Sequence, residues 1–167
     1  MNLDLLQKFC SVDESRKVIM SPWSFGDWTY ATDARVLIRV PRMAEVPERE
    51  GAPKADIIFT ATGCTEVFQE LPAVPEIKDE KCSKCDGEGA HECLCGNVHD
   101  CEYCEGSGKV PGSSIRIKIG KCFASHIYLN LLKELPNVTI AEPLKETQPF
   151  WFKFDGGEGR LAGMRNE

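Results

Sequence analysis

Two short segments of the sequence carry the same spacing of cysteines and glycines. Each reads C-x-x-C-x-G-x-G, one from Cys82 to Gly89 and the other from Cys101 to Gly108. A C-x-x-C pair can place two thiolates on one metal ion, and the glycines allow the positive-φ turn that follows. Together the pairs give C-x2-C-x15-C-x2-C, a spacing typical of a tetrahedral four-cysteine zinc site. The sequence therefore predicts one zinc ion with four thiolate ligands. These are Cys82, Cys85, Cys101 and Cys104.

Disulfide bonds and buried structural thiols are the other roles open to these cysteines. Disulfides need an oxidising compartment, and the sequence from Met1 begins without the basic and apolar regions of an export signal. Buried thiols would lie among apolar neighbours, whereas these four lie among Lys, Asp, Glu, Gly and Ser. We therefore expect a reducing, cytoplasmic location, where metal binding is more common than disulfide formation.

A second set of metal-ligating side chains lies between the two motif copies. It consists of two imidazoles and two thiols, from His91, Cys93, Cys95 and His99. These side chains could hold a second zinc ion. Alternatively, they form a loop over the first site, with a histidine donating a hydrogen bond to a thiolate. Because C-x-C is a less regular chelator than C-x-x-C, the sequence leaves both interpretations open.

The repeated motif resembles the cysteine-rich region of the DnaJ family of co-chaperones. In that family, four C-x-x-C-x-G-x-G copies pair to hold two zinc ions. Both copies between Cys82 and Gly108 match the motif at every defined position, so the resemblance implies the same four ligands for one zinc. The sequence has two copies rather than four, no His-Pro-Asp tripeptide and no Gly/Phe-rich linker. The resemblance therefore implies a zinc-binding region of this type rather than a complete co-chaperone.

The amino-acid composition limits the class of protein and the kinds of partner that are expected. The chain has 167 residues, of which 42% are hydrophobic and 28% charged, values typical of a soluble globular protein that buries a core. No apolar run approaches the length of a membrane span, so we expect no membrane partner. The net charge of −6 argues against a generally basic nucleic-acid-binding protein, although it leaves a local basic surface open.

The cysteines outside the central region, Cys10, Cys64 and Cys122, are expected to be small core residues. A nucleophilic cysteine needs a histidine and a third group that orients it. His126, in a predicted helix, lies four residues after Cys122, but the sequence offers no third member. The residue types therefore favour a non-enzymatic protein with no catalytic residue. A metal-hydrolase activity would require the second cluster to hold a metal ion with an open coordination position.

The segments on either side of the motif predict the scaffold. Helices are predicted from apolar periodicity at 2–10, with Asn2 as N-cap, and at 124–135. Strands are predicted at 17–20, 28–32, 36–40, 114–120, 138–141, 149–154 and 160–165. Residues 56–60 could form a strand or a helical turn, and 65–71 a helical turn. The glycine-rich run at 155–159 predicts a hairpin turn, because it lacks the Gly-Lys-Ser/Thr ending of a phosphate-binding loop.

Three of these elements also predict which side chains are buried. Period-two alternation places three isoleucines of the strand at 114–120 on its inward face, and three phenylalanines of the strand at 149–154 on one face. Helical spacing places four aliphatic side chains of the helix at 124–135 on one face. The predicted inward residues are Ile115, Ile117, Ile119, Phe150, Phe152, Phe154, Ile127, Leu131, Leu132 and Leu135.

Two stretches of the scaffold resemble a domain of the bacterial DNA sliding clamp. Ala-Thr-Asp at 31–33, followed by Arg-Val-Leu at 35–37, is similar to the clamp segment before a strand. Residues 152–157, followed by Gly-Met-Arg at 163–165, are similar to its closing hairpin. The resemblance implies paired helices on a DNA-facing side and two antiparallel sheets outside them. Ala34 stands where a glycine is usual, and the chain holds one such domain where a bacterial clamp subunit has three.

These observations predict an α+β fold of antiparallel sheets with two helices. Residues 1–79 and 111–167 form this clamp-like domain, which a small zinc-binding β-hairpin insertion at 80–110 interrupts. The predicted function is a non-enzymatic zinc-binding protein that contacts a protein partner or DNA, related to DNA replication or processing through the clamp-like domain. A chaperone-like client-binding or redox module is the alternative that the DnaJ resemblance implies. Self-association into a homo-oligomer is left open.

Overall fold

The computed structural model describes residues 2–60, 63–93 and 96–164. The chain divides into two compact units. Residues 1–74 and 116–167 form the first, which we call the sheet unit, and residues 75–115 form the second, which we call the knuckle unit. The insertion predicted at 80–110 falls inside the knuckle unit.

Short strands dominate both units. In chain order they are β1 (Trp23–Phe25), β2 (Trp28–Thr32), β3 (Val36–Pro41), β4 (Cys64–Glu70), β5 (Glu80–Lys81), β6 (Ala90–Glu92), β7 (Val98–Asp100), β8 (Lys109–Val110), β9 (Arg116–Ile119), β10 (Cys122–Ser125), β11 (Thr139–Pro143), β12 (Phe150–Phe154) and β13 (Gly157–Leu161). The helices are α1 (Leu3–Gln7), α2 (Asp56–Thr60) and α3 (His126–Leu132), and a 3-10 helix spans Glu14–Ile19. Within the described ranges, no helix is long and apolar enough to cross a membrane.

The sheet unit is organised around one antiparallel sheet of seven strands, in the order β1-β2-β3-β13-β12-β11-β4. Strands β9 and β10 form a separate two-stranded hairpin. Strand β13, from the end of the chain, pairs with β3 from its beginning, so the two halves of the sequence meet in a single sheet. The predicted antiparallel α+β class is confirmed. This single large sheet differs from the two sheets that the clamp resemblance implies.

Side chains on one face of the large sheet pack with α1 and α3 in an apolar core. Phe150, Phe152 and Phe154 of β12 share that face, as their period of two predicts, and all three are buried. Leu6 of α1 and Leu129 of α3 are fully buried in the same core. Burial of these large side chains supplies the main stabilisation of the sheet unit.

The opposite face of the sheet carries a smaller core. Trp23 of β1 stacks on Tyr30 of β2, with ring centroids 5.7 Å apart. Leu37 of β3 belongs to the same cluster, together with Ile19 of the 3-10 helix and Ala55 just before α2. This second core therefore holds the 3-10 helix and the start of α2 against the sheet.

Some local predictions are confirmed and others are wrong. The N-cap prediction at α1 is confirmed, because the Leu5 N–H donates to Oδ1 of Asn2 at 2.9 Å. Strands β2 and β3 form the predicted hairpin. The strand predicted at 17–20 is wrong, since Asp13 caps a 3-10 helix through that segment. The helical turn predicted at 65–71 is also wrong, because β4 pairs along β11 there.

The buried faces of α3 and β9 differ from their predicted faces. Helix α3 is confirmed at 126–132, but Ile127 is 55% exposed whereas Leu129 is fully buried. Helical spacing defines several possible faces, and packing against the rest of the sheet unit selects one of them. In the strand, Ile119 is buried but Ile115 lies before the first residue of β9 and is exposed.

Candidate metal centre

Four cysteine sulfurs of the knuckle unit form one buried cluster. The cluster contains Cys82, Cys85, Cys101 and Cys104, which are 0–6% exposed. Their sulfurs all lie within 4.8 Å of one another. The Sγ–Sγ distances are 3.9 Å for Cys82–Cys101 and 3.7 Å for Cys85–Cys104. A tetrahedral ion with metal–sulfur bonds of about 2.3 Å requires sulfur–sulfur distances of about 3.8 Å. The four cysteines predicted from spacing are therefore placed so that they could hold one metal ion.

The two motif copies make reciprocal contacts. The Cys82 N–H donates to the Gly108 carbonyl at 2.9 Å, and the Cys101 N–H donates to the Gly89 carbonyl at 2.8 Å. Within each copy, the first glycine N–H donates to the first cysteine carbonyl, at 3.0 and 3.1 Å. The same bonds thus recur 19 residues apart, and each copy pairs with the other through equivalent atoms.

The last glycine of each copy is required by the contact between the copies. Gly89 has a φ of +78° and Gly108 a φ of +71°, in the region that L side chains rarely adopt. A Cβ on Gly89 would lie 2.3 Å from the Gly106 carbonyl oxygen. A Cβ on Gly108 would lie 2.3 Å from the Gly87 carbonyl oxygen. Any side chain at either position would push the two cysteine pairs apart.

The same two glycines donate hydrogen bonds to the cysteine cluster. The Gly89 N–H donates to Sγ of Cys85 at 3.2 Å, and the Gly108 N–H donates to Sγ of Cys104 at 3.3 Å. Such bonds stabilise a thiolate, which is the form of cysteine that binds metal. The cysteine spacing alone does not predict these donors. The signal that could have found them is a glycine four residues after the second cysteine in both copies.

Neighbouring thiols of the cluster differ in pKa. Burial raises the pKa of the Cys82 thiol, but backbone N–H groups of Cys85 and Lys84 offset this and bring the pKa down to about 7. Burial raises the pKa of the Cys85 thiol to about 11. Thiolates at these distances repel one another, so the four-thiolate state requires a cation among them.

The buried centre of the knuckle unit consists mainly of cysteine side chains rather than aliphatic or aromatic ones. Among its described residues, the buried cluster consists of the four cysteines with Val110 packed against them. Strand β5 pairs with β8 over two residues, and β6 pairs with β7 over three. Contacts this few do not stabilise a unit of this size without a further constraint. We therefore expect folding of the knuckle unit and metal binding to be coupled.

The second predicted ligand set is only partly described. His91 and His99 are direct cross-strand partners in β6 and β7, and both are exposed. Cys93 is disulfide-bonded, so its sulfur offers no thiolate in this state. Cys95 lies outside the described residues. Within the described ranges, the cysteine cluster is the one group placed to hold a metal ion, and the second zinc site stays a prediction.

The three cysteines of the sheet unit are buried. Cys10 and Cys122 belong to its large core, as predicted. Burial raises the pKa of the Cys10 thiol to about 11, and burial also raises the pKa of Cys64 and Cys122. These thiols are therefore neutral near pH 7. Cys10 and Cys122 act as small core residues, whereas Cys64 lies outside the core clusters and donates to the Pro149 carbonyl at 3.3 Å.

Comparisons with protein families, with curated proteins and with solved structures find no match to this chain. The resemblances to the DnaJ zinc-binding region and to a sliding clamp domain therefore stay hypotheses that depend on the quoted residues.

Proposed function

We propose that this protein is a non-enzymatic interaction protein in which a zinc ion folds the knuckle unit, and that the knuckle unit binds a basic segment of a partner protein. The observation that carries the proposal is the buried cluster of four thiols at tetrahedral spacing. Zinc fits this set because structural zinc sites use four thiolates at such distances. Four protein ligands also leave no open coordination position for a substrate.

Charge favours a protein partner over DNA. Between residues 75 and 115 there are nine Asp and Glu but four Lys and Arg, a net charge of −5 out of the −6 of the whole chain. A zinc ion with four thiolates would add a charge of about −2. A surface of this sign repels nucleic-acid phosphates and attracts segments rich in Lys and Arg.

The second motif copy offers an anchor for such a contact. Tyr103, between its two cysteines, is 64% exposed, while the first copy has Lys84 at the equivalent position. Exposed Glu102 and Glu105 flank the tyrosine. Tyrosine is enriched among residues that dominate binding energy, and nearby carboxylates can pair with Lys or Arg. We therefore assign the second copy as the principal contact surface.

Metal analysis tests the zinc part of the proposal. We expect one zinc per chain in purified protein, and the same content in His91→Ala, because that histidine lies outside the cysteine cluster. Replacement of zinc by cobalt should produce the absorption bands of a tetrahedral thiolate complex. A folded knuckle unit that contains no metal would contradict the proposal. Two zinc ions per chain, falling to one in His91→Ala, would support the second site.

Binding measurements test the partner class. The probes are a Lys/Arg-rich peptide and single- and double-stranded DNA, each titrated at several salt concentrations. We expect the zinc-loaded protein to bind the peptide, with affinity that decreases as salt increases, and to bind neither DNA. The double variant Glu102→Lys/Glu105→Lys should weaken peptide binding by about tenfold.

A matched double variant provides the control. Glu45→Lys/Glu50→Lys makes the same change of charge at exposed positions of the sheet unit, and it should leave peptide affinity nearly unchanged. An equal loss in both double variants would show that only net charge matters. Tighter binding to DNA than to the peptide would reject the protein partner and support the clamp-related alternative.

A further inference from the structure

A pocket of about 350 Å³ lies on the sheet unit, on the side of the smaller core. Its walls come from the 3-10 helix, from β3 and from the segment around α2. They are largely apolar and include Ile19, Val36, Leu37, Pro53, Ala55 and Ile58. Ile58 is 46% exposed, so it offers apolar surface to a ligand that enters. Pockets of this size and lining bind small molecules or single large side chains.

The polar groups of this pocket point to a ligand that accepts hydrogen bonds. Two arginines line it, the exposed Arg35 and the almost fully buried Arg160. The Arg160 guanidinium lies 4.4 Å from the Trp151 ring centroid, and its Nη1 donates to Sγ of Cys64 at 3.4 Å. Among the described residues that line the pocket, none is Asp or Glu, although the chain as a whole is acidic. The pocket therefore combines apolar walls with positive charge.

Trp23 provides an independent sign of a missing acceptor. This residue lines the pocket and is 1% exposed, and its indole Nε1 has no hydrogen-bond partner among the described residues. A buried donor without an acceptor costs roughly 1–3 kcal/mol, so native structures rarely contain one. The Nε1 atom has almost no accessible surface, so an acceptor on a bound ligand would reach it and remove this cost only after a small shift of the surrounding side chains.

The turn that carries Arg35 is held in one conformation. Asp33 Oδ1 accepts hydrogen bonds from the N–H groups of Arg35 and Val36, at 2.8 and 2.9 Å. Thr32 Oγ1 accepts from the Ala34 N–H at 3.0 Å. These bonds hold Ala34 at a φ of +78°, a conformation that non-glycine residues adopt rarely and often at binding sites. The turn is thus organised before any ligand arrives, which reduces the entropy lost on binding.

We propose that this pocket binds an apolar group that bears a carboxylate. The apolar part would occupy the aliphatic walls, and the carboxylate would pair with the arginines and accept from the Trp23 indole. Arginine pairs with carboxylates through two parallel hydrogen bonds, which gives selectivity over neutral acceptors. Such a group is found on a free aliphatic or aromatic acid and at the carboxyl end of a peptide that terminates in Leu or Phe. The proposal does not depend on zinc or on the knuckle unit.

Nuclear magnetic resonance of the full-length protein can test this assignment. The probes are 3-phenylpropionate, its neutral amide, and tripeptides ending in Phe with a free or an amidated terminus. We expect 3-phenylpropionate to shift the Trp23 indole N–H resonance, identified with Trp23→Phe, and to bind about tenfold more tightly than the amide. Binding of the free-acid tripeptide, but not its amidated form, would identify a peptide terminus as the source. Binding of the small acid alone would identify a free acid.

Two variants and one control complete the test. Arg35→Gln changes an exposed side chain, so it should fold normally and weaken carboxylate binding by about tenfold. Ile58→Glu places a negative charge beside the pocket and should also abolish the preference for acid over amide. Arg116→Gln, at an exposed arginine of β9 that does not line the pocket, should bind like the parent protein. Equal affinity for acid and amide, or no indole shift with any probe, would overturn the proposal.

Discussion

The two units of this protein reach defined structures by different means. The sheet unit buries aromatic and aliphatic side chains that lie far apart in sequence. Its sheet is complete only when β13, near the end of the chain, pairs with β3, near the beginning. The knuckle unit buries four cysteine sulfurs, and two copies of an eight-residue motif bring them together. Coordination of a metal ion by cysteines can therefore replace the long-range apolar contacts that a short segment cannot make.

Glycine has a different role in each unit. In the knuckle unit, Gly89 and Gly108 allow one backbone to approach another and leave their amides free to donate to sulfur. In the sheet unit, Gly159 lies opposite Phe152 in the neighbouring strand, and a Cβ there would lie 2.1 Å from the ring. The first role shapes a ligand set, whereas the second makes room for a core side chain.

Removal of the metal ion should distinguish the two units most clearly, because only the knuckle unit should unfold. Cys82→Ser, or treatment of the parent protein with a chelator, should unfold residues 82–108, because zinc contributes on the order of 10 kcal/mol to the folding of small modules. The three tryptophan indole resonances, which all come from the sheet unit, should keep their positions in ¹H–¹⁵N spectra. Cys122→Ala, which alters a thiol of the sheet unit, should retain one zinc. A single transition that unfolds both units together would contradict their independence.

The converse experiment weakens the sheet unit and spares the knuckle unit. Phe152→Ala removes a fully buried ring and should lower the free energy of unfolding of the sheet unit by about 3–5 kcal/mol. Urea unfolding followed by tryptophan fluorescence measures this change, while zinc content should stay at the parent value. Phe25→Ala, at a ring that is 54% exposed, should cost less than about 0.5 kcal/mol. Loss of zinc from Phe152→Ala would show that the two units fold together.

The same comparison explains what the sequence could predict. The cysteine cluster was predictable because ligand spacing within a turn is a local property, so Cys82, Cys85, Cys101 and Cys104 could be named before their geometry was known. Helix α1 was also predictable, since the side chain of Asn2 marks its start. Segment 17–20 was misread because a short apolar run fits a strand as well as a helix, and only the contact of Ile19 with the smaller core decides between them.

Features that depend on contacts between distant segments could not be predicted from sequence patterns. The orientation of α3 is set by packing, so periodicity alone placed Ile127 inward and missed Leu129. The pocket with Arg35 and Arg160 combines segments more than one hundred residues apart. Its residues carry no spacing signal, because neither arginine lies near the other in the chain.

Substitution of a motif glycine should affect the knuckle unit alone. Gly89→Ala places a Cβ against a backbone oxygen and should weaken zinc binding by about 1–3 kcal/mol relative to a control. The control is Gly96→Ala, because Gly96 has a similar φ of +79° but, among the described residues, no atom within 4 Å of the added Cβ. Competition with a chromophoric chelator measures the affinities. Equal losses in both variants would attribute the effect to backbone strain rather than to contact between the copies.

The smallest expected effect concerns the start of the sheet unit. Helix α1 has five residues, too few to be stable alone, so it depends on the Asn2 cap and on burial of Leu6. Asn2→Ala removes the acceptor for the Leu5 N–H and should lower the free energy of unfolding of the sheet unit by about 1 kcal/mol, whereas Asn2→Asp keeps an acceptor and should cost much less. Urea unfolding measures both variants, and zinc affinity should stay unchanged. Equal stability of the alanine and aspartate variants would show that burial of Leu6, rather than the cap, holds the helix in place.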